Sequence, residues 1–106
     1  MASTKEFLDF VLDRLSVLDD VTYRVMMGEY VVYYKGKVIG GIYDNRFLVK
    51  YTQTGAETVP DVKLVEPYEG AKKMLLINNV ESDEFLAKLI KATYDELPAP
   101  KKKRKG

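Results

Sequence analysis

Between Thr22 and Tyr51 the chain is a succession of β-branched and aromatic runs whose links are too short for anything but a turn. Tyr30 to Tyr34 and Val38 to Tyr43 flank Lys35-Gly36-Lys37, and Asp44-Asn45 separates the second run from Arg46 to Tyr51. Parallel neighbours need a crossover of about a dozen residues or more, so these links force an antiparallel meander. Asp and Asn tolerate the positive φ that a two-residue hairpin requires. In the last run Phe47, Val49 and Tyr51 alternate with Arg46, Leu48 and Lys50, the pattern of a sheet with one covered face and one wet face. Gly28 reads as a bend or bulge between Thr22 to Met27 and Tyr30, making these one kinked strand or two, so three or four strands are expected. Gly40-Gly41 inside a strand signals a bulge or a close backbone approach.

Helical periodicity brackets the meander. Phe7, Leu8, Val11, Leu12, Leu15 and Leu18 recur at three- and four-residue intervals opposite Glu6, Asp9, Asp13 and Arg14. Ser3 with Glu6 predicts a capping box, and Asp19-Asp20 ends the helix. Thr52 to Asp61 admits either a short helix through Thr54, Ala56 and Glu57 or a loop. Val62 to Val65 and Met74 to Ile77 predict two further strands. Ser82 is a good N-cap, with Asp83 and Glu84 in the first turn, for a stripe of Phe85, Leu86, Leu89, Ile90, Tyr94 and Leu97 that Pro98-Ala99-Pro100 stops. The predicted architecture is an α+β two-layer sandwich, an antiparallel sheet with the helices on one face, in the order α-β(3)-α-β(2)-α. Residues 1–97 are expected to form one domain and 98–106 a disordered basic tail.

Composition narrows function. There is no Cys and no His. That excludes a disulfide framework, a thiol nucleophile, a Cys or His zinc site and a Ser-His-Asp relay. No metal and no cofactor are expected, and carboxylates, Lys and Tyr are the groups left for catalysis. The 17 basic and 16 acidic residues are unevenly placed, because five of the basic ones are Lys101, Lys102, Lys103, Arg104 and Lys105. The chain before them holds 12 basic against 16 acidic groups. The tail is therefore the candidate nucleic-acid contact, with a salt-dependent attraction to polyanions. Neither a signal peptide nor a membrane span is expected, and a cytoplasmic location is the simplest reading.

Other constellations have simpler structural explanations. Tyr30, Tyr33, Tyr34, Tyr43 and Tyr51, with Lys35, Lys37, Arg46 and Lys50 nearby, are the residue types of a stacking platform for single-stranded nucleic acid. Tyrosine is also favoured in half-buried strands for its packing, which is the preferred reading. The glycines are not followed by a helix whose N-terminus would hold phosphate. The pairs Asp19-Asp20, Asp83-Glu84 and Asp95-Glu96 suit helix ends and exposed faces.

The segment Arg24-Val25-Met26-Met27-Gly28-Glu29-Tyr30, continued by Tyr33-Tyr34-Lys35-Gly36-Lys37-Val38-Ile39-Gly40-Gly41-Ile42 and Asp44-Asn45-Arg46-Phe47-Leu48-Val49-Lys50, resembles the N-terminal domain of the TfoX/Sxy competence-regulator family. Arg24, Met26, Met27, Gly28, Tyr30, Gly36 and Gly41 carry the pattern, with Met27 standing where many members have Phe. Pro67 to Ile77 and the ending Glu96-Leu97-Pro98 before a lysine run resemble stand-alone bacterial members. The resemblance implies a secretion-chaperone-like sandwich. It also implies a non-enzymatic regulatory or protein-interaction module, a transcription-regulatory adaptor that engages a protein partner or a second copy of itself. In two-domain members the corresponding domain belongs to coactivators of DNA-uptake genes that work with the cyclic-AMP receptor protein.

Overall fold

The computed structural model describes residues 3–78, 80 and 82–98. Helix α1 (Lys5–Arg14) runs on into a 3-10 turn (Leu15–Val17) and is followed by four strands, β1 (Val21–Met26), β2 (Glu29–Tyr34), β3 (Lys37–Tyr43) and β4 (Arg46–Val49). A short helix α2 (Gln53–Glu57), strands β5 (Leu64–Val65) and β6 (Met74–Ile77) and helix α3 (Asp83–Glu96) complete the order. All neighbouring strands are antiparallel, in the order β1-β2-β3-β4-β6-β5. The α+β sandwich is as expected, except that the run before α2 contains four strands and not three.

The fourth strand arises at Met27-Gly28. Both residues have positive φ, 53° and 82°, and Met26 pairs with Glu29 across them. Gly28 is therefore the second residue of a type I′ hairpin turn and not a bend in one kinked strand. Lys35-Gly36 (51° and 86°) and Asp44-Asn45 (56° each) make the same turn, so three successive two-residue hairpins build the meander. Register slips between Val32 and Tyr33, leaving Ile39 as the extra residue of a bulge. Beside it Gly40 packs so closely on β4 that a Cβ there would meet the Leu48 carbonyl oxygen at 2.2 Å.

The core lies between the helices and one sheet face. Leu8, Val11 and Leu15 from the first helix and Leu86, Leu89 and Ile90 from α3 pack against Val32, Tyr34, Ile39, Ile42, Phe47, Val49, Leu75 and Ile77. The N-cap of α1 is Thr4, whose hydroxyl accepts from the Phe7 amide, and not Ser3. Ser3 instead donates through its amide and hydroxyl to Glu29, while its Oγ accepts from the Asn45 amide at 3.0 Å. This network fastens the start of α1 to two of the hairpin turns.

Two long-range contacts close the far end of the helical layer. Lys37 Nζ donates to the carbonyls of Tyr94 and Leu97 at 2.9 and 2.8 Å, capping α3 with a cation where the helix dipole is negative. Glu96 accepts from the Gln53 amide and from the Thr54 amide and hydroxyl, capping α2. Hydrogen bonds from Thr54 and Gln53 hold its carboxyl below the ordinary range. Gly55 fits between Thr52 and Thr93, where a Cβ would lie within 2.7 Å of both hydroxyls.

The face away from the helices is not simply wet. Leu48 is fully buried there and Val31 nearly so. Gly41 sits opposite Leu48, and the Tyr43 ring folds back across the space a Gly41 Cβ would fill. The 66–73 segment adds cover, with Pro67 buried and Tyr68 tilted against Tyr43 at 6.2 Å between centroids. The alternation of Arg46, Leu48 and Lys50 was misleading because a segment without periodicity covers its middle residue.

Candidate functional site

The outer hairpin, β1 and β2, carries most of the sequence motif. Arg24 and Met26 lie on the edge strand, Met27 and Gly28 form its turn, and Tyr30 returns on β2 opposite Val25. Gly36 is at the opposite end of β2 in the next turn, and Gly41 is buried in β3 opposite Val31. The motif thus describes a hairpin and its support. It does not converge on a pocket.

The hairpin is unusual in what it leaves exposed. Val25 is 66% exposed, Met26 54% and Met27 96%. An apolar side chain gains nothing from such exposure, and Met27 also occupies a left-handed conformation that costs a residue with a Cβ about 1 kcal/mol or more. Asn or Gly would hold this turn with less strain. Strain and exposure at one residue point to a role outside the fold of the single chain.

The backbone of β1 has one side free. Lys35 N donates to Asp20 O at 3.0 Å, which sets the parity of the β1–β2 ladder. Bonded pairs alternate in an antiparallel ladder, so Asp20, Thr22, Arg24 and Met26 address β2. The N–H and C=O groups of Val21, Tyr23 and Val25 point outward. On the helical side of this edge an apolar concavity of about 480 Å³ is lined by Leu12, Leu15, Leu18, Val21 and Tyr23 among others. The helical layer stops short of the last strand. Tyr23 fills part of the step, packing edge-on to Tyr30 at 5.9 Å.

The tyrosines do not assemble into one platform. Tyr30 and Tyr34 pack towards the helices, Tyr34 edge-on to Tyr94, while Tyr33 and Tyr43 alternate onto the opposite face. Burial, followed by the neighbouring Tyr68, Glu29 and Tyr33, pushes the Tyr43 hydroxyl above its ordinary pKa. Lys37 is committed to α3, Arg46 donates to the carbonyls of Tyr43 and Glu66, and Lys35 rests near the Tyr34 and Tyr94 rings. A second groove, of about 890 Å³, lies at the β5 end, where Tyr43, Tyr51 and Tyr68 meet Lys50, Lys72 and Lys73. Lys101, Lys102, Lys103, Arg104 and Lys105 lie outside the described residues.

Among the described residues no cluster of three or more acidic side chains could hold a metal ion, and no helix is long and apolar enough to cross a membrane. The acidic pairs are dispersed, and Glu96 is occupied as a cap. Sequence reasoning missed the free edge, whose one local signal was the scarcity of charge between Val21 and Met27. No family model matches the chain. No solved structure matches it either. A protein of Spirochaeta aurantia, described as an uncharacterized 12.7 kDa protein in the trpE 5' region, is 34% identical over 105 residues, covering 98% of this chain and 91% of that one. The chain belongs to the family of that Spirochaeta aurantia protein.

Proposed function

We propose that the chain is a non-enzymatic regulatory or protein-interaction module that engages other polypeptides by adding a strand at β1. The observation that carries this reading is the bare edge, six residues long with a single charge, ending in the exposed Met26-Met27 tip. Strand addition supplies main-chain hydrogen bonds for affinity and side-chain pockets for specificity, and β1 offers both beside the apolar concavity. The resemblance to TfoX/Sxy N-terminal domains agrees with a transcription-regulatory adaptor in the cytoplasm. Affinity capture on the full chain tests the reading against a Val25→Lys chain. Specific polypeptides, further copies of the chain included, are expected on the first and lost on the second. Recovery of none, or equal recovery on both, rejects it.

The groove that gathers Tyr43, Tyr51 and Tyr68 with Lys50, Lys72 and Lys73 favours a second reading, binding of single-stranded nucleic acid with help from the tail. Labelled single-stranded DNA and RNA at low salt test it. Binding that weakens on replacing Tyr68 with Ala is expected, and no binding at low salt rejects it.

A further inference from the structure

We infer that the partner of β1 is a second copy of the same strand, paired antiparallel about a two-fold axis through Tyr23, so that two six-stranded sheets join into one. This rests on the interaction reading above and names its partner. The hydrogen-bonding groups come first. Val21, Tyr23 and Val25 present the outward N–H and C=O groups. With Tyr23 opposite Tyr23 of the second copy, Val21 falls opposite Val25 and Val25 opposite Val21. Every outward residue then exchanges both its bonds, and the edge complements itself.

The side chains select the same register. Val21, Tyr23 and Val25 lie on the helical side, so apolar residues face apolar residues across the axis. Val25 of the second copy, the exposed knob, arrives beside Val21 at the rim of the concavity between the first helix and β1. Its Met26-Met27 tip arrives alongside Leu18 to Asp20. Two-fold symmetry thus brings an exposed apolar projection onto an apolar hollow, twice. On the other side Arg24 faces Thr22. Sliding the strands by two residues one way would put Arg24 directly against Arg24, which is unfavourable, and sliding the other way leaves a Val25 outside the ladder. Arg24 has no salt bridge in the single chain, and in the inferred register Asp20 of the second copy comes within diagonal reach. The β5 edge cannot substitute, since it offers only two residues.

The experiment uses the full chain. Sedimentation equilibrium should show a concentration-dependent monomer and dimer. Val25→Lys, at an exposed position, should weaken self-association by about tenfold or more with an unchanged melting curve. The chain has no Cys, so a Thr22→Cys, Arg24→Cys double variant reports the register directly. Residues facing each other in this non-bonded pair have Cα atoms about 4.5 Å apart, within reach of a disulfide. Oxidation should give a covalent dimer, and Arg24→Cys alone should give much less. A strictly monomeric wild-type chain overturns the inference, as does a dimer indifferent to Val25→Lys or one that forms no cross-link between positions 22 and 24. Capture of other proteins that depends on Val25, from a chain that stays monomeric, would defeat self-pairing while leaving the interaction reading standing.

Discussion

The sheet has two edges, and they are built to opposite rules. At one end β5 is two residues long, flanked by Lys63 and Pro67, with Lys72 and Lys73 leading into its neighbour β6. Shortness, lysine and proline are the common means of keeping an edge from pairing with another chain. At the other end β1 is six residues long and carries one charge. The same sheet therefore guards one edge and leaves the other open. Solubility alone would favour guarding both, so the difference locates the interaction at β1.

The helical layer repeats the contrast. Towards β5 and the end of α3 the packing is fixed by backbone contacts and caps, whereas over β1 it leaves a hollow. Substitutions should be costly for folding near the first region and nearly free at the second. The largest effect is expected at Gly40. Its missing Cβ leaves room for the Leu48 carbonyl and the Val49 Cα, which are backbone atoms that cannot rotate away. Gly40→Ala should cost about 3 kcal/mol, read from urea denaturation, as the β3–β4 ladder is pushed apart. A loss under about 1 kcal/mol would mean that this region yields as readily as β1.

Lys37 comes next. Removing its cation from α3 with Lys37→Met keeps the aliphatic stem on Tyr94 but frees two carbonyls, and should cost about 1–3 kcal/mol. A melting temperature equal to that of the wild type would show that water replaces the ammonium at no cost.

At the open end the sign reverses. Met27→Asn removes an exposed apolar side chain and relaxes a left-handed residue, so the isolated domain should gain about 0.5–1 kcal/mol. The same change should weaken self-association. Stability gained as association is lost would identify Met27 as held for binding. Loss of stability would show that the turn depends on Met27 in a way its exposure hides.

Which of these features could be read from the sequence depended on distance along the chain. Lys35-Gly36 and Asp44-Asn45 announced their turns because the residues suit the conformation. Met27-Gly28 did not, since methionine is a poor choice for the first turn position, and the same mismatch marks the candidate site. The short helix α2 stayed ambiguous because Gly55 lowers helix propensity, and what makes that glycine necessary is Thr93 on α3. The roles of Lys37 and Glu96 join residues some forty to sixty positions apart and leave no local trace. Cover over Leu48 comes from an aperiodic segment. Periodicity showed which residues are apolar, but strand order decided that β1 has no neighbour.

The smallest effect concerns Glu96 and acid. The carboxyl is solvent-exposed, so its hydrogen bonds to Gln53 and Thr54 are discounted by competition with water. Those bonds need the ionised form, and they lower the pKa in the folded chain relative to the unfolded one. A carboxyl depressed on folding contributes stability that is fully present above its unfolded pKa and disappears as pH falls through the folded value. Melting temperatures of the wild type should therefore drop on acidification below about pH 4.5, where the free carboxyl begins to titrate, and Glu96→Gln should remove part of that drop. Because the contact joins α2 to α3, hydrogen exchange in the wild type at low pH should rise first at Gln53 and Thr54, with β1 amides unaffected at the same pH. Exchange rising first in β1 would place the acid-sensitive contact at the open edge and reverse the contrast between the two ends.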